Sequence, residues 1–458
     1  MNKRHATQYP PSTGLAAHYE RLQSSLPVVE DSVFGPLVVP NGNAAAPVHR
    51  WFHLKESFSA DLLSALLARL GMTNKTDLSL IDPYAGVATA LVSALGAVTA
   101  KGEERQFSRV LGVERNPFLH LVASTKVRSL TTPSPDLESF REAALERYRS
   151  KRIKPAPRPR LSTFSNPNYF PPAVLRELLR LKAAIDGTEG DDLARDVARV
   201  CLAGCLEPLS NLRRDGRALR YEERKARTKP VDEFGRRFDV AIADLASATT
   251  PLCARARVAL GDGRKPSNYA REEGRFKLAL FSPPYANNID YTEVYKLENW
   301  FLDLIGSEAE FRAQRLRTVR SHPSVAFEES YPLSENGYKH AVAATLAPLL
   351  VAIPADRYRH QRRRLVNGYF EDMLQTLKGL YDLLDRGGRA VYVVGNSAHG
   401  HGATSFVVAS DVVMATLAEL VGFTVQELIV ARFPSRRNIP SANVPAGFLR
   451  ESVVILRK

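Results

Sequence analysis

Few features restrict a chain as tightly as a buried strand that runs straight into two prolines. Phe276-Lys-Leu-Ala-Leu-Phe281 is an apolar run of strand length, and Ser282-Pro-Pro-Tyr285 follows it with no spacer. Successive prolines remove two backbone N–H donors and fix φ, so pairing stops and the chain leaves the sheet as a stiff loop. The carbonyls of that loop stay free, beside a hydroxyl (Ser282) and an aromatic ring (Tyr285). In open α/β sheets the carboxyl ends of strands are where ligands bind. A rigid surface turn is the plainer reading of the same four residues.

The chemistry suited to such a loop concerns an exocyclic amine on a nucleobase. That nitrogen is a poor nucleophile because its lone pair is delocalised into the ring. The Ser282 hydroxyl and the Ser282 and Pro283 carbonyls can accept its N–H groups and favour the pyramidal, more nucleophilic form. Tyr285 can stack on a base turned out of its helix. Of the three cysteines, Cys201, Cys205 and Cys253, none lies near this loop, which argues against covalent attack by a thiolate. Cys201 and Cys205 stand i, i+4 in an apolar helical run and read as core. No zinc or disulfide pattern is present, and no metal is expected.

At 458 residues the chain can bury one large core with insertions, or two domains. It holds no apolar run of spanning length and begins with no apolar leader-like segment, so no membrane is expected and a cytoplasmic location is. A formal net charge of +14 suits a polyanionic partner, although it also serves solubility.

Residues 1–48, rich in Pro, Ser, Asn and Ala, read as an irregular arm. Ser59 is placed to cap a helix carrying Leu62, Leu63, Leu66, Leu67 and Leu70 at amphipathic spacing. Strand Asp77–Asp82 then turns through Asp82-Pro-Tyr-Ala-Gly-Val-Ala-Thr89 into a helix. Gly86 allows close backbone approach to a ligand, and Thr89 lies near the helix N-terminus, which favours an anionic group. Strand Arg109–Glu114 ends in an acid placed either to accept ribose hydroxyls or to cap the helix from Pro117. Asp262, after strand Arg255–Leu260, is an acceptor for an adenine amine or part of a plain Asp-Gly turn. Between these parts lies a helical, basic insertion over 131–250, with helices predicted over 172–185 and 191–208. Its segment 210–227 gathers Arg213, Arg214, Arg217 and Arg220 around a glycine and a tyrosine. A phosphate-contacting loop and a solvated helix face paired with Glu222 and Glu223 are both open. A second basic insertion, irregular in pattern, covers 306–364 and includes Arg362 and Arg363. Helices are expected over 292–304, 368–384 and 411–422, and strands Arg389–Gly395, Phe423–Val430 and Ser452–Leu456, the last two antiparallel.

This order of parts resembles the S-adenosylmethionine-dependent DNA amino-methyltransferases, which methylate cytosine N4 or adenine N6. Asp82-Pro-Tyr-Ala-Gly-Val-Ala-Thr89 is similar to their cofactor loop, Asp-Pro-Phe-x-Gly-Ser-Gly-Thr, and Ser282-Pro-Pro-Tyr285 to their catalytic tetrapeptide. His53-Leu-Lys-Glu-Ser-Phe-Ser59 is similar to the segment that closes over the methionine end of the cofactor. Glu114 falls where the family's ribose-binding acid stands, Asp262 where its adenine-binding residue stands, and Arg386-Gly-Gly388 before the fifth strand. The matched segments cover about 50–125 and 255–458.

The resemblance implies an α/β fold of the Rossmann-like class I methyltransferase kind. Its seven-stranded, mostly parallel sheet has one antiparallel strand, helices on both faces and helical insertions. The catalytic domain would span 49–130 and 251–458. It also implies S-adenosyl-L-methionine as cofactor, held by His53, Phe58, Asp82, Pro83, Tyr84, Gly86, Thr89, Glu114 and Asp262. Catalysis would fall to Ser282, Pro283, Pro284 and Tyr285. Double-stranded DNA is the implied substrate, with Arg213, Arg214, Arg217, Arg220, Arg362 and Arg363 as contacts, and a restriction or defence-system partner is conceivable. Serine at 282 leans toward cytosine N4. The departures are Tyr84 for Phe, Val87-Ala88 for Ser-Gly, and a large insertion between the second and third strands. The rival readings are the same chemistry on RNA and a non-catalytic nucleic-acid-binding scaffold. A Rossmann dehydrogenase is disfavoured because no Gly-x-Gly-x-x-Gly follows the first strand.

Overall fold

The computed structural model describes residues 14–99, 104, 106–133, 135–215, 219–223, 228–247, 255–270, 273–287, 289–400, 405–433 and 446–458. Its strands are β1 (Val28–Glu30), β2 (Leu78–Asp82), β3 (Phe107–Glu114), β4 (Leu212–Arg214), β5 (Leu219–Tyr221) and β6 (Arg255–Leu260). They continue with β7 (Phe276–Phe281), β8 (Leu384–Gly395), β9 (Ser397–His399), β10 (Phe406–Val408), β11 (Thr424–Arg432) and β12 (Glu451–Arg457). Eight of them form one sheet in the order β1-β11-β12-β8-β7-β2-β3-β6, while β4–β5 and β9–β10 are separate two-stranded ribbons. Every neighbouring pair in the sheet is parallel except the two that involve β12. The expected seven strands and single antiparallel member are present. The eighth is β1, three residues of the N-terminal arm laid parallel to β11.

Period-two alternation sorts the strand residues between two cores. Leu278, Leu280, Val391, Val393, Val453 and Ile455 face one layer. Ala279, Phe281, Tyr392, Val394, Val454 and Leu456 face the other. Four helices fill the first layer beside the sheet's early strands: α2 (Leu62–Arg69), α3 (Thr89–Gly96), α4 (Pro117–Thr131) and the helix Asp192–Gly204 of the large insertion. The second layer holds helices Arg359–Leu383 and Ser410–Val421, joined by α1 (Gly14–Ser24).

Several local expectations change. The arm carries regular structure among its described residues: Tyr19 of α1 is buried, and its hydroxyl donates to the Val407 carbonyl at 2.9 Å. Helix α2 begins after Asp61, and the Ser59 hydroxyl donates to the Asn41 carbonyl instead of capping. The helix placed over 292–304 breaks into Tyr291–Val294 and Lys296–Phe301. The segment 306–364, read as irregular, carries helices Glu308–Leu316 and Lys339–Ala352. The helix expected from 368 starts at Arg359, because Leu365 and Val366 extend its buried face one turn further back. The 131–250 insertion shares the first core through Leu175, Val197, Phe234 and Phe238. At its end, buried Asp244 accepts the Val48 N–H at 2.8 Å and the Trp51 indole N–H at 2.9 Å, and pairs with Arg50. That carboxylate pins the stretch leading to the site.

Candidate active site

The chain steps outward from β2 to β3 and β6, then returns to place β7 on the other side of β2. Neighbouring loops therefore diverge at the carboxyl ends of β2 and β7, the switch point where doubly wound sheets open a crevice. A cavity of about 320 Å³ lies there, and its wall includes Pro83, Tyr84, Gly86, Glu114 and Asp262 together with Ser282, Pro283, Pro284 and Tyr285. Gly86 and Tyr285 thus share one crevice.

The cofactor-loop half is built by backbone geometry. Gly86 is left-handed (φ +53°), and Ala88, where the resembling family has glycine, also takes φ +67° as it opens α3. The conformation that glycine would supply is kept, at about 1–2 kcal/mol of strain for a side chain bearing Cβ. Glu114 accepts the Gly86 N–H at 2.8 Å through one oxygen and the Asn116 N–H at 2.7 Å through the other. The cap of α4 is Asn116, so Glu114 is left to hold the loop and face the cavity. Burial raises its carboxyl to about 7, against the pull of those N–H donors. Asp82, sealed beneath the loop, binds the Tyr84 N–H at 2.9 Å, and burial pushes it up to about 8 with Glu114's charge adding to the rise. The Tyr84 hydroxyl reaches Thr376 at 2.6 Å. Gly263 lets the turn after β6 approach the same loop, since a Cβ there would lie 2.0 Å from the Pro83 carbonyl oxygen. Burial alone would raise Asp262, but Arg264 grips both its oxygens and, with Arg115, holds it below the ordinary carboxylate range. A glycine turn, an acid aimed into the cavity and a second acid at a neighbouring strand end fit an adenosine-bearing group. Arg115 Nε and Asn116 Nδ2, buried on the same wall, lack partners among the described residues.

The other half is the diproline loop. The Ser282 hydroxyl donates to the Val393 carbonyl at 3.2 Å and shares a side-chain hydrogen bond with Tyr285, which leaves it one further acceptor position. The Tyr285 ring lies against the end of β8, where a Cβ on Gly395 would come within 2.8 Å of it. Burial holds the Tyr285 phenol protonated, its pKa well above ordinary, with Glu451 adding to the rise. Glu56, also raised by burial, accepts from the Tyr295 hydroxyl at 3.0 Å and lines the cavity.

Not every residue singled out from sequence meets the cavity. His53 is exposed, Phe58 is buried in the core, and neither forms wall; Leu54, Lys55, Glu56 and Ser57 do. Asp82 and Thr89 support the loop from beneath. Arg214 is a correction. Only 8% exposed, it is clamped between Glu207 (2.5 Å) and Glu298, over the Tyr295 ring, so its charge is spent inside the fold. Arg213 and Arg220 are exposed on the β4–β5 ribbon, beside Glu222 and Asp215 respectively, and Arg217 lies outside the described residues. Arg362 pairs with Asp356, and Arg363 donates to the Leu350 carbonyl. The density of charge in 306–364 is met in part by internal acids: Arg315 by Asp290, Arg320 by Asp372, Arg364 by Glu329. The sequence reading missed Val38 and Val39 of the arm, Tyr291 and Thr292, the stretch Arg317, Thr318, Val319, Ser321 and His322, and Arg432 with Glu451. Only Tyr291 carried a signal, as the end of the diproline stretch. The second insertion reaches the cavity; no described residue of 131–250 does.

No protein-family model matches the chain. It is 24% identical over 446 residues to the Type II methyltransferase M.AvaI of Nostoc sp. (strain PCC 7120 / SAG 25.82 / UTEX 2576), covering 88% of this chain and 84% of that one. The same figures hold for the M.AvaI of Anabaena variabilis. Among solved structures, TrmN from Thermus thermophilus aligns at 10% identity and a TM-score of 0.28, over 88% of this chain and 49% of its own. The rRNA methyltransferase aviRa from Streptomyces viridochromogenes aligns at 11% and 0.29, over 90% and 85%. Overlays that loose decide nothing. Along most of its length, then, the chain is similar to the Type II methyltransferase M.AvaI, in keeping with the motif order read from its sequence.

Proposed function

We propose that the protein methylates an exocyclic amine of a base in DNA, cytosine N4 in preference to adenine N6. The observation that carries this is the single crevice lined by both Gly86–Glu114 and Ser282–Tyr285. S-adenosylmethionine, when bound, supplies an electrophilic methyl group on a sulfonium. Glu114 would accept from the ribose hydroxyls and Asp262 from the adenine amine, while Pro83, Tyr84 and Gly86 shape the floor. Ser282 and the Pro283 region would accept one N–H of the target amine and orient its lone pair, with Tyr285 stacked on the base. Alignment of the two reactants supplies most of the rate in this scheme. Its position on the exposed β4–β5 ribbon supports Arg213 and Arg220 as backbone contacts, and Arg362 and Arg363 are the corresponding choice on the second insertion.

Long-read sequencing of DNA from cells that express the protein, beside a Ser282→Ala strain, reports base, position and motif together. Methylated cytosine N4 in the wild type and its loss in the variant are expected. The same modification in both strains would overturn the role of Ser282. Methyl incorporation into RNA but not into matched DNA would overturn the substrate.

A further inference from the structure

We propose that His322 contacts the extruded base directly, its imidazole accepting a hydrogen bond from the exocyclic amine while the Asp290 carboxylate faces the opposite ring nitrogen. This rests on the methyl-transfer reading above. His322 belongs to the second insertion, is 2% exposed and forms part of the cavity wall with Ser282, Pro283 and Tyr285. Neither of its ring nitrogens has a hydrogen-bond partner among the described residues. A buried donor or acceptor left unpaired is costly, so such groups are rare and mark a missing partner. Thr292 Oγ1, 1% exposed on the same wall, is unpartnered too.

The orientation of the ring follows from its neighbours. Asp290 Oδ2 stands 3.6 Å from His322 Nδ1. That carboxylate is itself fixed, accepting the Thr292 N–H at 3.1 Å, the Glu293 N–H at 3.2 Å and Arg315 Nε at 2.6 Å. That distance from Asp290 to the ring is beyond a hydrogen bond, but the carboxylate's charge favours the tautomer with Nδ1–H toward it, which leaves the lone pair on Nε2. Phe327 meets the ring edge-on, with centroids 5.2 Å apart. Beyond the ring lies a second cavity of about 230 Å³, so His322 is the partition between two spaces and has room to turn. Burial lowers the imidazole pKa and Arg315 lowers it further, against the opposing pull of Asp290, so the neutral form prevails near pH 7. Along the cavity the other charged groups are Lys55, Glu56, Glu114, Arg115, Asp262, Arg317, Arg432 and Glu451. An acceptor fixed in this way takes an amine N–H and rejects a carbonyl oxygen, so it selects cytosine or adenine over thymine.

The test compares His322→Phe, which keeps a ring against Phe327 without nitrogens, with His322→Gln, which returns an acceptor. Labelled methyl transfer to DNA that the wild type modifies gives kcat and KM, and calorimetry gives S-adenosylmethionine affinity. Phenylalanine should lower kcat about tenfold or more with cofactor affinity within about twofold, and glutamine should recover much of that loss. With S-adenosylmethionine saturating, so that Glu114 does not limit binding, wild-type kcat/KM for DNA should fall as pH drops below the ordinary imidazole range, and the Gln variant should lack that limb. Unchanged kcat in the Phe variant would overturn the contact while leaving the transfer reading intact. Loss of cofactor binding in both variants would reduce His322 to a packing role and also overturn it. A wild type that methylates no nucleic acid would overturn both readings.

Discussion

Two carboxyls beneath the cofactor loop make a prediction that depends on sign. Glu114 and Asp82 rise from their ordinary 4.5 and 3.8 to about 7 and about 8 through burial. The native state therefore binds more protons than the unfolded chain between roughly pH 4 and 8, so the free protein should lose stability across that window and level off above it. A ribose hydroxyl donating to Glu114 requires the ionised acid, so S-adenosylmethionine should bind more tightly as pH rises through about 7, releasing a proton. Calorimetry in buffers of differing ionisation enthalpy measures that release. A second prediction concerns Gly395. Its alanine variant would press a methyl group into the Tyr285 ring, at about 1–3 kcal/mol of overpacking. Methyl transfer should fall at least about tenfold, with cofactor affinity unchanged, in the same two assays. Residues of this kind divide sharply in legibility. Gly86, Glu114 and Ser282 announce themselves because a turn or a strand end demands them. Gly395 does not, since its reason is a ring more than a hundred positions away.

Among elements, the coupling worth most is the joint between the second insertion and the helix Arg359–Leu383. Asp372, wholly buried, accepts the Arg320 N–H at 2.8 Å and its guanidinium at 2.7 Å, with Arg264 at 3.3 Å. Asp372→Ala would leave the buried Arg320 guanidinium without its carboxylate, while Arg264 keeps Asp262, so a loss of about 3–5 kcal/mol is expected in urea unfolding. The loop carrying Arg317 and His322 should loosen with it. Strands were the readable elements: β7 falls where its continuous apolar run puts it, buried on both faces, and the edge strand β6 where arginines alternate with small apolar residues. Helix ends were less so. Arg359 to Arg364 look like loop when counted as charge, yet they begin a helix whose apolar face continues beneath them. The arm was read as irregular because a three-residue strand such as β1 is too short to show any period, and Val38 and Val39 reach the site through tertiary path alone.

Taken as one body, the molecule carries a formal charge of +14, but much of its arginine content is answered from within. DNA affinity should therefore depend on salt less steeply than a count of arginines suggests. If about four to six of them reach phosphates, the logarithm of the affinity should fall against the logarithm of salt with a slope of about −4 to −5. Anisotropy titrations of a labelled duplex over a salt series give that slope, and a flat response would remove the DNA backbone as partner. The sheet order carries one more consequence. β12, latest of all strands along the chain, lies inside the sheet between β8 and β11, which are both made before it. While the ribosome is still threading those residues out, the earlier strands have a gap where their common neighbour will go. A nascent chain must then shelter two raw edges until translation has passed residue 457, and help from a chaperone would matter most in that interval.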